Sequence, residues 1–302
     1  MATKLTTMHP DRRSVDPGRL AGPSPLFCDT ALAARIERAE VRLITETSTA
    51  TRRRRGDGRG FVIPIAGGVA SFTEDASPFN KVAGLGFDGV PSAGELTKIE
   101  RAFAARGASV QVELAHLADP AVGALLTGRG YRLVAFENVL GRALDDRAAP
   151  APPAAIVIRT SGSDEYGQWL DVMADASAHP DDQEVPAHDD FPPDVLLGAL
   201  RDLTAGPGVA RYAAVRDGLL VGGASLRMTT DVAQLTGAAT APQHRRHGVQ
   251  TALLAARIAD ATAAGCDVAV VTTQPGSKSQ QNVQHAGFGL LYTRAILVRD
   301  IA

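Results

Sequence analysis

Residues 240–251 read TAPQHRRHGVQT, and the fold is decided by this stretch together with the apolar run on its C-terminal side. Two arginines, two histidines and a glycine stand directly before that run, whose apolar members, Val249, Leu253, Leu254, Ile258 and Ala261, recur at helical spacing until Gly265, a natural helix end. The first N–H groups of a helix have no intrahelical acceptors and sit at its positive end, so a phosphate placed there collects several backbone hydrogen bonds. Gly248 lets the backbone come close, and Arg245 and Arg246 have the geometry for bidentate contacts if they turn inward. Taken alone, such a run is an ordinary solvated turn.

Upstream of it, the sequence predicts a short strand over 156–159, a helix over 164–177, an acidic connection and a helix over 193–203. Three antiparallel strands come next, over 209–216, 219–228 and 232–240, the first two joined at Asp217-Gly218, a hairpin signal. Downstream come a buried strand over 268–272, a short helix over 279–286, a Gly287-Phe288 turn and two closing strands.

This order, with the string P-x-x-R-x-x-G-V-x-T-x-L-L from Pro242 to Leu254 and with Ser279, Asn282 and Gly287-Phe288 behind it, resembles the GNAT family of acyl-CoA-dependent N-acyltransferases over most of residues 155–300. The resemblance implies an α/β fold with a mixed, mostly antiparallel central sheet flanked by helices. It implies acetyl-CoA, its pyrophosphate on the backbone of Arg246, His247, Gly248, Val249, Gln250 and Thr251, with Arg245 beside them. The pantetheine arm would run between the strand that ends at Ala239 and Thr240 and the strand over 268–272, with Ser279 and Asn282 in the same site.

The chain departs from the family pattern in three places. Gln250 stands where Gly or Ala is usual, so its side chain is expected to point away from the diphosphate. The frequent glutamate falls at Gln234 and the frequent tyrosine at Val283, and neither side chain exchanges a proton. Tyr292 is then the candidate acid, provided it faces the gap between strands; packing in the core is its other reading. Asp231 and His244 are the base candidates near the strand edge.

The reaction implied is transfer of an acetyl group to a primary amine of a small molecule or peptide by direct attack, in which holding amine against thioester supplies much of the rate. The alternative is a catalytically silent acyl-CoA-binding sensor or scaffold. The loop HPDDQEVPAHDDF over 179–191 carries Asp181, Asp182, Glu184, Asp189 and Asp190, which would attract a cationic acceptor or would simply be solvated.

The first half repeats this order. Arg106-Gly107 before SVQVEL matches Ala264-Gly265 before CDVAVV at an offset of 158 (265 minus 107), and GYRLVAFENVLGR from Gly130 matches GFGLLYTRAILVR from Gly287 at 157 (287 minus 130). Two related units with a one-residue indel are expected. At an offset of 159 (246 minus 87), residues 87–92 (FDGVPS) fall against 246–251; the glycine survives, the arginines do not, Asp88 repels phosphate and Pro91 lacks an N–H. The organisation expected is a flexible leader over 1–25, a degenerate GNAT-like domain over 26–147 that binds no cofactor, a linker over 148–154 within DDRAAPAPPAA, and a GNAT acetyltransferase domain over 155–302.

Composition bounds these readings. With 45% hydrophobic residues and a net charge of −2, the chain is globular and not a polyelectrolyte binder. No apolar run approaches the roughly 20 residues that span a bilayer. Two cysteines, Cys28 and Cys266, make neither a disulfide framework nor a metal site, and fit a reducing compartment such as the cytoplasm. TRRRRGDGRG over 51–60 is read as a solvated loop joining helix to strand, with nucleic acid an unlikely partner.

Overall fold

The computed structural model describes residues 26–144, 155–179, 185 and 191–300. The expected leader, the linker and the acidic residues of the 179–191 loop lie outside the described residues.

The first half holds α1 (Thr30–Arg55), β1 (Phe61–Ile65), β2 (Gly68–Phe72), β3 (Lys81–Ala83), α2 (Ala93–Ala104), β4 (Val110–Ala115), α3 (Pro120–Gly128) and β5 (Arg132–Ala143). The second holds β6 (Val157–Thr160), α4 (Tyr166–Ala178), α5 (Pro193–Thr204), β7 (Val209–Arg216), β8 (Leu219–Met228), β9 (Val232–Thr240), α6 (Val249–Ala263), β10 (Val268–Thr273), α7 (Lys278–His285) and β11 (Gly289–Arg299). The local signals act as their chemistry requires. Asp217 and Gly218 take left-handed φ values of 52° and 77° and close the β7–β8 hairpin. Asp29 caps α1 by accepting from the Leu32 N–H at 2.8 Å, and four arginines complete its last turn, where cations favour the helix end.

Among the described residues, eleven strands form one mixed, mostly antiparallel sheet in the order β1-β2-β3-β4-β11-β5-β10-β9-β8-β7-β6. Only β3 with β4 and β9 with β10 run parallel. The centre does not follow chain order: β11 lies between β4 and β5, and β5 lies between β11 and β10. Each half therefore gives its last strand to the other. In place of two closing strands at the end of the second half there is one eleven-residue strand, Gly289–Arg299. Its partners come from the first half, so it does not fold back on itself.

The exchange is nearly symmetric. Glu137 opposes Arg294, and the register skips Leu291 on β11 and Val134 on β5, both pairs separated by the same 157 residues that relate the two sequence stretches. The 158-residue match is reversed in facing. Val110 and Val112 pack with Phe103 of α2, whereas Val268 and Val270 pack with Ile36 of α1, because a strand slipped by one residue presents its other face.

Helices α2, α3, α6 and α7 cover one face of the sheet; α1, α4 and α5 lie on the other. The sheet curves round α1. Ser48 meets Ser71 of β2 at 2.6 Å while Glu46, only two residues earlier, accepts from Arg227 of β8 at 2.7 Å. On a flat sheet β2 and β8 would stand about 34 Å apart at the usual strand spacing. Among the described residues no helix is long and apolar enough to cross a membrane.

Candidate functional site

Strands β9 and β10 are paired only from Val232 with Val268 to Gln234 with Val270. Beyond that rung they part. β9 remains on β8 with a bulge at Gly237, and β10 remains on β5 as far as Thr273. Gly237, Ala238 and Thr272 are exposed although their strands lie inside the sheet, so the two facing edges border an open gap. Backbone N–H and C=O groups on such edges need partners from outside the ladder.

At the end of β9 the chain makes a 3-10 turn, Pro242–His244, and enters α6. Arg246 and Gly248 both take left-handed conformations, at φ 64° and 83°, which curl the backbone towards the helix start. Gly248 is the N-cap residue, and among the described residues no side chain caps the helix. The corresponding helix of the first half is self-capped: Ser92 accepts from the Glu95 N–H at 3.2 Å while the Glu95 carboxylate accepts from the Ser92 N–H at 2.8 Å. Gly89 precedes that cap by three residues and does not take the place of Gly248.

The expected site residues divide into three groups. His247, Thr251 and the exposed Arg246 stand at the mouth of the loop, and Ser279 and Asn282 lie on α7, whose own cap is Ser277. Val249 is buried in the core, and Ala239 packs on the α4 cluster. Two side chains are committed elsewhere. Gln250 donates to Thr240 Oγ1 at 3.1 Å, and Arg245 turns away from α6 to donate to the carbonyls of Ala176, at 3.2 Å, and His179 at the end of α4. Arg245 thus holds α4 against the loop, with its guanidinium on helix-end carbonyls.

Tyr292 does not face the gap. β5 separates its strand from β10, its side chain is 1% exposed, and its hydroxyl donates to Glu37 Oε1 at 2.7 Å. Burial and then the Glu37 carboxylate push its pKa up, so the role expected of it as acid gives way to a packing one. Asp231 precedes the closed end of β9 and pairs with Arg35 at 3.4 Å; His244 lies in the 3-10 turn, and Val283 is core. Thr51 to Arg55 are the last turn of α1 and not a loop. Arg54 grips Asp202, Arg55 pairs with Asp57 and Glu74, and Arg59 with Asp75, so much of this charge is neutralised within the fold.

A polar cluster on the concave face has no counterpart in the sequence-based expectations. Arg294, 1% exposed, donates to Glu37 Oε1 at 2.8 Å and lies 3.8 Å from Glu113 and from Glu137. Lys81 pairs with Glu113. Burial opposes the charge on Arg294, but Glu37 and its neighbours hold its pKa well above the ordinary value. Burial also raises Glu40, and it raises Glu137 to about 7 with Glu113 adding repulsion. Glu40 accepts from the Gln234 amide at 3.1 Å, and Gln234 in turn accepts from Arg227 at 2.8 Å. These residues come from seven elements and two halves, so periodicity within any one element gives no sign of their meeting.

In the first half the equivalent gap is bridged. β3 and β4 pair at Val82 with Val112 and Ala83 with Glu113. Beyond them the Asp119 N–H donates to Gly86 O at 2.9 Å, Phe87 packs on the α1 cluster, and Asp88 approaches Arg38 at 3.9 Å.

Residues 173–288 match the acetyltransferase (GNAT) family model. A search of the curated proteins returns no match. Among solved structures the chain is similar to a GCN5-related N-acetyltransferase from Kribbella flavida, at 19% identity and a TM-score of 0.58, over 84% of this chain and 95% of that one. It is also similar to a tandem GNAT protein from the clavulanic acid biosynthesis pathway, at 16% identity and a TM-score of 0.57, over 85% of this chain and 88% of that one. At these identities the likeness is one of fold.

Proposed function

We propose, from the match of residues 173–288 to the acetyltransferase (GNAT) family model, that the second half of the chain transfers an acetyl group from acetyl-CoA to a primary amine of a small molecule or peptide. The observation that carries this reading is the gap between β9 and β10, open beyond Gln234 and Val270 and ending near an α6 N-terminus that no side chain among the described residues caps. The residues fit the donor: an uncapped helix start with two left-handed residues before it receives an anion, and the parted strand edges offer amides to an extended arm.

The thioester supplies an activated acyl carbon. The chain's own residues do the rest. Gly248, Val249, Gln250 and Thr251 offer main-chain donors, while Arg246 and His247 add polar groups at the mouth, and Ser279 and Asn282 border the arm from α7. Arg245 acts indirectly, by tying the loop to α4. The first half, whose equivalent gap is bridged between Gly86 and Asp119 and whose helix is self-capped, is read as a degenerate unit that takes no donor. The acceptor approaches from the concave side, where five glutamates, Glu37, Glu40, Glu46, Glu113 and Glu137, outnumber the three cations of the cluster, Lys81, Arg227 and Arg294, among the described residues, which favours a cationic amine.

Two measurements test this. Titration calorimetry with coenzyme A is expected to give saturable binding, and incubation with acetyl-CoA and a panel of primary amines is expected to release free thiol above background. Binding without thiol release with any amine would leave the silent acyl-CoA sensor as the function, and no binding would remove both readings.

A further inference from the structure

Amine acylation needs a group that takes a proton from the ammonium form of the acceptor before attack. Such a group has to be ionisable, reachable, and close to where β9 and β10 part. Tyr292, Glu37 and Glu113 are almost fully buried. Asp231 lies before the closed end of β9 and pairs with Arg35, and His244 belongs to the loop at the opposite end, beside α6. Glu137 is partly exposed but stands on β5, behind β10 as seen from the gap.

Glu40 meets all three conditions. It is only partly buried, and its Oε2 accepts from Gln234 Nε2 at 3.1 Å, where Gln234 occupies the last paired rung before the strands separate. The orientation of that amide is fixed. Arg227 is an obligate donor, its Nη1 lies 2.8 Å from Gln234 Oε1, and Glu46 anchors Arg227 from α1. The Gln234 oxygen is thereby turned to Arg227 and its NH2 group to Glu40.

We infer that Glu40, carried by the first half and oriented by Gln234, is the proton acceptor for the amine in the second half. The inference rests on the acetyltransferase function proposed for the second half. Glu40 takes one proton from the ammonium group; the freed lone pair forms the C–N bond at the thioester carbonyl carbon as the C–S bond breaks. The sulfur leaves with the bonding pair and takes the second proton lost by nitrogen, and Glu40 returns its proton to solvent. The charged groups around Glu40 are Glu37 on its own helix, Lys81 of β3, Glu113 of β4, Glu137 of β5, Arg294 of β11 and, through Gln234, Arg227 of β8. Burial is the largest influence on its carboxyl group and raises it, Arg294 opposes this, and Glu113 adds to it, which brings the acceptor closer to neutral pH.

The test compares the full-length chain with Glu40→Gln and with the exchanged pair Glu40→Gln/Gln234→Glu, which moves the carboxylate onto β9 and keeps the amide–carboxylate hydrogen bond. Thiol release is followed against pH with an amine that the wild type uses, and coenzyme A affinity is measured by calorimetry. Glu40→Gln is expected to lower kcat by about 100-fold or more, to remove the acidic limb of the kcat/KM profile, and to leave coenzyme A affinity within about threefold. The exchanged pair is expected to recover at least about tenfold of the loss and to restore a limb at a shifted pH. A Glu40→Gln enzyme with an unchanged limb and kcat within about threefold would overturn the assignment alone, as would a large loss of coenzyme A affinity, which would mark Glu40 as structural. A wild type that binds coenzyme A but acetylates no amine overturns the acetyltransferase reading and this assignment with it.

Discussion

Glu137 and Arg294 stand opposite one another on β5 and β11, with Glu137 Oε2 3.8 Å from Arg294 Nη1, and they occupy the same position in two stretches 157 residues apart (294 minus 137). The exchange of closing strands thus pivots on an acid–base pair whose members come from equivalent places in the two halves.

Removing the base should be costly. Arg294 is 1% exposed and serves Glu37, Glu113 and Glu137 together, so Arg294→Met leaves buried carboxylates facing one another. Loss of one partner from a buried ionic group costs about 3–5 kcal/mol. Urea unfolding at pH 7 should show a loss of that order for Arg294→Met, and a smaller one at pH 5, where Glu137, raised to about 7, is protonated.

Removing the acid should have the opposite sign at high pH. Glu137 is raised from 4.5 to about 7, chiefly by burial, so the folded chain holds its proton where the unfolded chain has released it. Its contribution to stability is fully present below 4.5 and is lost as pH rises to about 7. Glu137→Gln should therefore gain on the wild type between pH 4.5 and pH 8, by up to about 3 kcal/mol, in thermal or urea unfolding. A stability difference that stays flat across that range would refute this.

At the donor site, Gly248→Asp places a carboxylate and a Cβ at a left-handed N-cap of φ 83°. Coenzyme A affinity by calorimetry should fall by about 100-fold or more, since the new anion faces the diphosphate and also caps the helix. Gly248→Ala carries only the conformational penalty and should cost about tenfold or less. Equal losses in the two variants would assign the effect to backbone strain and not to charge.

Much of the second half is legible in its sequence, because hairpins, helix starts and apolar periods are local. The strands 209–216, 219–228 and 232–240 fall where they are expected around the Asp217-Gly218 hairpin signal, and α6 begins after Gly248. The centre of the sheet is not legible in this way. Which strand lies beside β10 depends on pairing between residues such as Val139 and Thr272, and nothing in either segment encodes the choice of partner. The site shows the same limit. Gln234 looks like a lost carboxylate when its own strand is read, but the carboxylate beside it is Glu40, 194 residues earlier on α1.

The exchange also predicts how the halves behave apart. Chains cut within residues 145–154 and expressed as separate pieces should each be poorly soluble: the second lacks β5, which covers one edge of β10, and the first lacks β11, which covers β4. Produced together, they should assemble into a soluble one-to-one complex, and size-exclusion chromatography reads this directly. Two independently soluble monomers would contradict the shared sheet.

Placing β11 between β4 and β5 has a consequence for biosynthesis. β11 comes after every other strand in chain order, so it leaves the ribosome after the remaining ten have emerged, yet β4 and Glu37 wait for it. The amino-terminal portion cannot mature as it is made; its β4 edge stays uncovered while some 180 further residues are translated, a delay measured in about ten seconds or more at ordinary elongation rates. Vectorial folding, in which an early domain closes before a later one appears, is denied to this topology, and nascent-chain holding by chaperones becomes a condition of its yield.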